Sequence, residues 1–96
     1  MTERRYQHRL IEKIKKRFEG CMVLKNDCSY IQGIPDLIIL YKKHWAALEV
    51  KKKTTSPKRP NQEHYISVMD EMSFARFISP EVEQEVLDEM ERSFEI

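Results

Sequence analysis

Residues 33–53 read GIPDLIILYKKHWAALEVKKK, and the fold turns on how this stretch is read. Two apolar runs, Leu37 to Tyr41 and Trp45 to Val50, flank the basic segment Lys42-Lys43-His44. That pattern predicts a β-hairpin with strands over 36–41 and 45–51. Three charges sit where a strand disfavours them: Asp36 opens the first run, and Glu49 and Lys51 close the second. Side chains alternate along a strand, so Glu49 and Lys51 share one face. In an antiparallel hairpin the start of one strand lies beside the end of the next. Asp36 is thereby brought to Glu49 and Lys51, which follow it by 13 and 15 residues. A strand-edge ion pair would account for these charges without any function. Two carboxylates and an ammonium at one sheet edge also suit Mg²⁺ or Mn²⁺, which bind hard oxygen ligands and recruit phosphates. Such a metal offsets charge on a phosphodiester undergoing hydrolysis and acidifies a bound water. The ammonium can orient the water or stabilise developing charge.

Working outward, Thr2 is a good N-cap, with Glu3 in the first helical turn. Tyr6, Leu10, Ile11, Ile14 and Phe18 recur at helical spacing, and Gly20 ends the helix. The other helix face carries Arg4, Arg5, Arg9, Lys13, Lys16 and Arg17. CMVLK, residues 21–25, predicts a first strand, and residues 26–35 a loop. After the hairpin, KKTTSPKRPN, residues 52–61, is too polar and too rich in proline for a core and predicts a loop. Pro60 suits the first turn of a second helix, on which Tyr65, Val68, Met69 and Met72 make an apolar stripe. SFARFI, residues 73–78, predicts a fourth strand. Ser79-Pro80-Glu81 opens an acidic helix with Val82, Val86, Leu87, Met90 and Phe94 on one face. The order α-β-β-β-α-β-α indicates an α/β fold, a small mixed sheet flanked by helices.

With 96 residues the chain reads as one domain, 1–96, of modest intrinsic stability that a dimer would raise. The longest apolar run is far too short for a membrane helix, so no membrane partner is expected. The N-terminal MTERRYQHR lacks the apolar segment of a secretory leader, which predicts an intracellular location. Cys21 and Cys28 then read as reduced structural thiols. His8, His44 and His64 show no metal spacing.

The net charge of +1 conceals an asymmetry. Residues 1–59 hold 15 Lys and Arg against 6 Asp and Glu, a net of +9, whereas residues 60–96 hold 2 against 10, a net of −8. The basic half is a candidate polyanion surface, and the halves can also pair with each other.

Gly33-Ile34-Pro35-Asp36 followed by Glu49-Val50-Lys51 resembles the PD-(D/E)XK nuclease superfamily. The closer resemblance is to its VRR-NUC branch, in stand-alone phage-type form. That branch shows G-[IVL]-P-D, then E-[VLI]-K, then a glutamine at the start of the next helix, where Gln62 falls. Its first helix has a pattern like E-x-x-I-Q-x-x-L. Glu3-Arg4-Arg5-Tyr6-Gln7-His8-Arg9-Leu10 is similar, with Tyr6 in place of the aliphatic residue. Roughly the first three quarters of the chain carry the resemblance, in four motif positions in order. It implies a restriction-endonuclease-like core and a Mg²⁺- or Mn²⁺-dependent endodeoxyribonuclease. Asp36 and Glu49, with the Val50 carbonyl, would hold the metal. Lys51 would position the attacking water, Glu3 would hold metal-bound water or a second metal, and Gln62 would support the site. Glu12 is the weaker candidate for Glu3's role, since it falls on a solvated helix face.

Lys52, Lys53, Lys58 and Arg59 flank this site and would contact DNA phosphates, which give affinity without sequence readout. Gly33 is expected to serve a backbone angle other residues avoid. Stand-alone members of the branch resemble homodimeric junction resolvases. Four-way or branched DNA is therefore the expected substrate and a homodimer the expected state, with Met90 and Phe94 either at the subunit contact or in the core. Cutting of flaps, single strands or nicked duplex, and DNA binding without chemistry, are the alternatives.

Overall fold

A computed structural model describes residues 1–94; Glu95 and Ile96, the end of the expected 1–96 domain, lie outside the described residues. The fold is mixed α/β. Helix α1 spans Glu3–Arg17 and is followed by strands β1 (Met22–Lys25), β2 (Leu37–Tyr41) and β3 (His44–Val50). Helix α2 (Pro60–Met72), strand β4 (Ala75–Ile78), one 3-10 turn (Pro80–Val82) and helix α3 (Glu83–Ser93) complete it. The four-stranded sheet has the order β1-β2-β3-β4. The first three strands are antiparallel neighbours, and α2 carries the chain over so that β4 runs parallel to β3.

Local chemistry explains the boundaries. The Thr2 hydroxyl accepts the Arg5 amide at 3.1 Å and caps α1. Gly20, at φ +89°, takes the left-handed conformation that lets the chain leave it. The Cys21 amide is held by the Phe18 carbonyl at 3.0 Å, so β1 starts one residue later than predicted. The hairpin turn is also tighter than the three residues expected. Tyr41 pairs with His44 across Lys42-Lys43, with Lys42 at φ 55°. This slides β3 back by one residue, so that Lys51 lies just beyond it. The Ser73 amide returns to the Met69 carbonyl at 3.0 Å and ends α2, which delays β4 to Ala75.

The sheet has two unlike faces. Leu37, Ile39, Ala46, Leu48, Val50 and Ile78 point to one side and are fully enclosed there with Leu10 and Ile14 of α1, Phe18 at its C-terminal cap and Met90 of α3. Phe94 belongs to this core. Its ring stacks on Tyr41 at 5.8 Å and on His44 at 5.6 Å and meets Phe18 edge-on at 5.6 Å. Met90 and Phe94 are thus core residues, and the reading that sets them at a subunit contact is corrected. Lys13 bonds to Glu83 at 2.7 Å, and Arg17 to Asp88 and Glu91 at 2.6 and 2.9 Å. Part of the charge asymmetry is therefore settled inside the fold, between the first helix and the last.

The opposite face is covered by α2 only over β3 and β4. No α2 residue is fully buried, and the predicted apolar stripe ends in Met72, which is 69% exposed. Over β1 and β2 this face stays open, leaving Met22, Leu24 and Leu40 largely in solvent. No helix among the described residues is long and apolar enough to cross a membrane.

Candidate active site

The register Leu37↔Leu48 places Asp36, one step before β2, beside Glu49 and Val50 at the end of β3. The Asp36 carboxylate accepts the Val50 amide at 3.0 Å, which anchors its side chain on the strand it faces. Its main chain is fixed as well. The Asn26 amide donates to the Asp36 carbonyl at 2.8 Å, and the Asn26 side chain to the Pro35 carbonyl at 2.7 Å. Asn26 thereby ties off the loop between β1 and β2 at its base.

Gln62, in the first turn of α2, links the remaining groups. Its amide nitrogen donates to Glu49 Oε2 at 3.0 Å, and its amide oxygen accepts from Lys51 Nζ at 2.9 Å. The same oxygen accepts the Arg59 amide at 3.1 Å, so one side chain both caps the helix and enters the site. Lys51 Nζ stands 3.9 Å from Glu49 Oε2. Glu49 is only 4% exposed, and its Oε1 is buried without a hydrogen-bond partner. A buried carboxylate oxygen left unpaired costs free energy, so this atom calls for a cation or a proton.

The electrostatics agree. Burial first, and then the nearby Asp36 charge, push the Glu49 carboxyl up to about 7, with Lys51 opposing the shift. Burial also raises Asp36 above the ordinary carboxylate range, opposed first by the Val50 amide and then by Lys51. Two neighbouring acids that both resist ionisation make a natural seat for a positive ion.

Two cavities have the pair in their walls. One, of about 520 Å³, is lined by Glu3, Lys51, Lys52, Arg59 and both carboxylates. The other, of about 500 Å³, is lined by Cys28, Gln32, Gly33, Asn61 and the same two carboxylates. Glu3 is therefore brought to the site from the far end of the sequence, whereas Glu12 is exposed further along α1. Of the four expected phosphate contacts, Lys52 and Arg59 reach this cavity. Lys53 and Lys58 turn instead to a smaller hollow beside Phe77 and Ser79, where the Lys58 ammonium lies 5.1 Å from the Phe77 ring centre.

Gly33 has φ +90°, as expected. A Cβ there would lie 2.5 Å from the Asn61 Cβ, so the glycine also lets the loop touch the start of α2, next to Gln62. Sequence reasoning did not find Cys28, Gln32 or Asn61, because nothing in a polar loop marks which residues fold back over a strand end. Asn26 was missed for the same reason.

No cluster of three or more His, Cys, Asp or Glu side chains in metal-holding geometry occurs among the described residues. The protein donors that meet are two carboxylates. That matches Mg²⁺, which takes one or two carboxylates and fills its remaining positions with water and substrate phosphate. Compared with known proteins, the chain matches no family model and no curated sequence.

Proposed function

We propose that this protein is a metal-dependent endodeoxyribonuclease with a restriction-endonuclease-like core, acting as a homodimer on branched DNA. The observation that carries the reading is Glu49 Oε1, a buried, unpaired carboxylate oxygen beside a second half-buried carboxylate and a lysine. A pure binding surface gains nothing from desolvated acids next to phosphate, where they repel it. Asp36 and Glu49 would hold Mg²⁺ or Mn²⁺, with the Val50 carbonyl and Glu3 as the further donors the motif implies. When bound, the ion supplies Lewis-acid charge against the phosphodiester.

The protein's own groups do the rest. Gln62 fixes Glu49 and Lys51 relative to each other. Lys51, held at 2.9 Å by Gln62, presents its ammonium toward the cavity shared with both acids, where it can orient water and offset charge on the phosphoryl oxygens. Water adds to phosphorus, the bond to the leaving sugar oxygen breaks, and that oxygen takes up a proton. Lys52 and Arg59 meet the backbone beside the cut.

The test compares the wild-type chain with Asp36→Ala on four-way junction, flap, single-stranded, nicked and linear DNA, with Mg²⁺, Mn²⁺ or EDTA. Metal-dependent cutting that disappears in the variant is expected, with the junction cut fastest. Equal rates on junction and linear duplex would remove the branched-DNA assignment. Faster cutting of flaps, nicks or single strands would reassign the substrate. Binding without cutting in any metal would make the protein a DNA-binding module.

A further inference from the structure

A second concentration of cations lies outside the carboxylate site. Arg4, Arg5, His8 and Arg9 of α1 and Lys25 of β1 line, with Thr2, a groove of about 570 Å³ that contains no acidic side chain. Lys25 is remote from the helix in sequence, so the groove is assembled by the fold and not by a run of basic residues.

Of the cations of α1, two are held by acids, and the others, Lys15 and Lys16 outside the groove included, stand in no ion pair among the described residues. Lys13 and Arg17, further along the helix, are held by Glu83, Asp88 and Glu91. Among the described residues Arg4, Arg5, Arg9 and Lys25 stand in no ion pair. The side-chain contact of Arg9 is a long one, 3.6 Å to the Met1 sulfur. Arg5 and Arg9 are also four residues apart, where like charges destabilise a helix. The fold gains nothing from collecting these charges, so their arrangement points to a ligand.

The groove adjoins the carboxylate site. Thr2, on its wall, precedes Glu3, which lines the cavity of Asp36 and Glu49. Lys25 pairs in register with Leu37, the residue after Asp36. Lys52 and Arg59 reach the carboxylates from the loop after β3, whereas this groove approaches from α1 and the β1 edge.

We propose that the groove is a second binding track for a nucleic-acid backbone, gripping phosphates beyond the segment held at the carboxylates. Its role in substrate handling rests on the nuclease reading; its affinity for a polyphosphate chain does not. From Arg5 to Arg9 the helix rises about 6 Å, against about 3.4 Å of axis per phosphate on one DNA strand, so two phosphates fall within reach, with Lys25 available for a third.

The test is salt-dependent binding of a fluorescent DNA duplex and a four-way junction in EDTA, where cutting does not intervene. The triple variant Arg5→Gln/Arg9→Gln/Lys25→Gln is compared with Lys15→Gln/Lys16→Gln/Lys43→Gln, which loses the same charge elsewhere. The groove variant is expected to bind about tenfold or more weakly, with a log K against log salt slope shallower by about 2 to 3, while the control changes the slope by less than about 1. The charge-preserving Arg5→Lys/Arg9→Lys/Lys25→Arg should keep the wild-type slope, which separates lost contacts from a damaged fold. Equal effects in the groove and control variants would overturn the proposal, as would no effect in either. If the wild type cuts in Mg²⁺ and the groove variant still binds as it does, the groove fails and the nuclease stands. If nothing cuts but the groove variant alone loses slope, the groove stands and the nuclease fails.

Discussion

On the face of the sheet packed by α1 and α3, Leu37, Ile39, Leu48 and Val50 are closed from solvent among Leu10, Ile14, Phe18 and Met90. On the face under α2, the same strand ends offer Asp36 and Glu49, and the helix above them buries none of its side chains fully. The first face is apolar and complete, and its charges are confined to the rim. The second sets two acids where their desolvation opposes folding and leaves the sheet beyond them open at Met22 and Leu40. Active sites typically hold local free energy that the rest of the fold must supply. Here the division runs through a single sheet, so substitutions on the two faces should differ in kind.

The largest effect on stability belongs to the first face. Phe18 is fully buried and touches the rings of Tyr41 and Phe94. Phe18→Ala should cost about 3–5 kcal/mol, read from chemical denaturation, because the enclosed site cannot collapse around the cavity. A loss under about 1 kcal/mol would show that this face is looser than described.

Glu49→Gln should act in the opposite direction. The folded carboxyl titrates at about 7, against 4.5 for the ordinary group. Below the lower value both folded and unfolded chains hold the proton, and the native state keeps its full advantage. As pH rises between the two values, only the folded chain still binds the proton, so stability falls until about pH 7. For a group this buried the loss approaches about 3 kcal/mol. In EDTA the variant should therefore gain on the wild type as pH rises from 4.5 to 8, while in Mg²⁺ the proposed cleavage should be lost. Mg²⁺ should stabilise the wild type at pH 8 and leave the variant nearly unchanged. Parallel stability curves for the two proteins would sink the idea that Glu49 is held against its ionisation.

Gly33→Ala comes next. A left-handed backbone costs a non-glycine residue about 1–2 kcal/mol. The added Cβ would also press on Asn61, beside Gln62. Cleavage should fall by more than the stability change alone predicts, since Gln62 positions both Glu49 and Lys51. Wild-type kcat in a measurably destabilised variant would separate the loop from the site.

How much of this was legible in the sequence follows the same division. Helix α1 announces itself through Thr2, its apolar spacing and Gly20, all local signals. The hairpin was legible too, and with it the meeting of Asp36, Glu49 and Lys51, because antiparallel register follows from chain geometry. Its tightness was not, since Lys42 takes a left-handed conformation that its residue type does not advertise. Gln62 was visible only by analogy; its two bonds depend on where α2 docks, which is tertiary. The stripe on α2 misled in degree, because a helix over half a sheet face cannot bury what a helix over a whole one would. From sequence the cations of α1 belong to a basic half that is a candidate polyanion surface, with nothing to tell one from another. Which of them meet acids depends on where α3 docks: among the described residues Lys13 and Arg17 do.

The smallest predicted effect tests the rim of the well-packed face. Lys13 and Glu83 meet at 2.7 Å, but the lysine side chain is 52% exposed. Such pairs contribute about 0.2–1 kcal/mol, because water screens the attraction and a long side chain must be held still. A double-mutant cycle with Lys13→Gln and Glu83→Gln should give a coupling in that range, shrinking as salt rises. The contact between Lys51 and Glu49 has side chains only 12% and 6% exposed, and its coupling should resist the same salt. If both pairs fade alike, the second site is wetter than its burial indicates, and the case for a cation-hungry carboxylate weakens. If only the rim pair fades, the two faces use charge differently: one as a replaceable edge contact, the other as a desolvated pair that water does not screen.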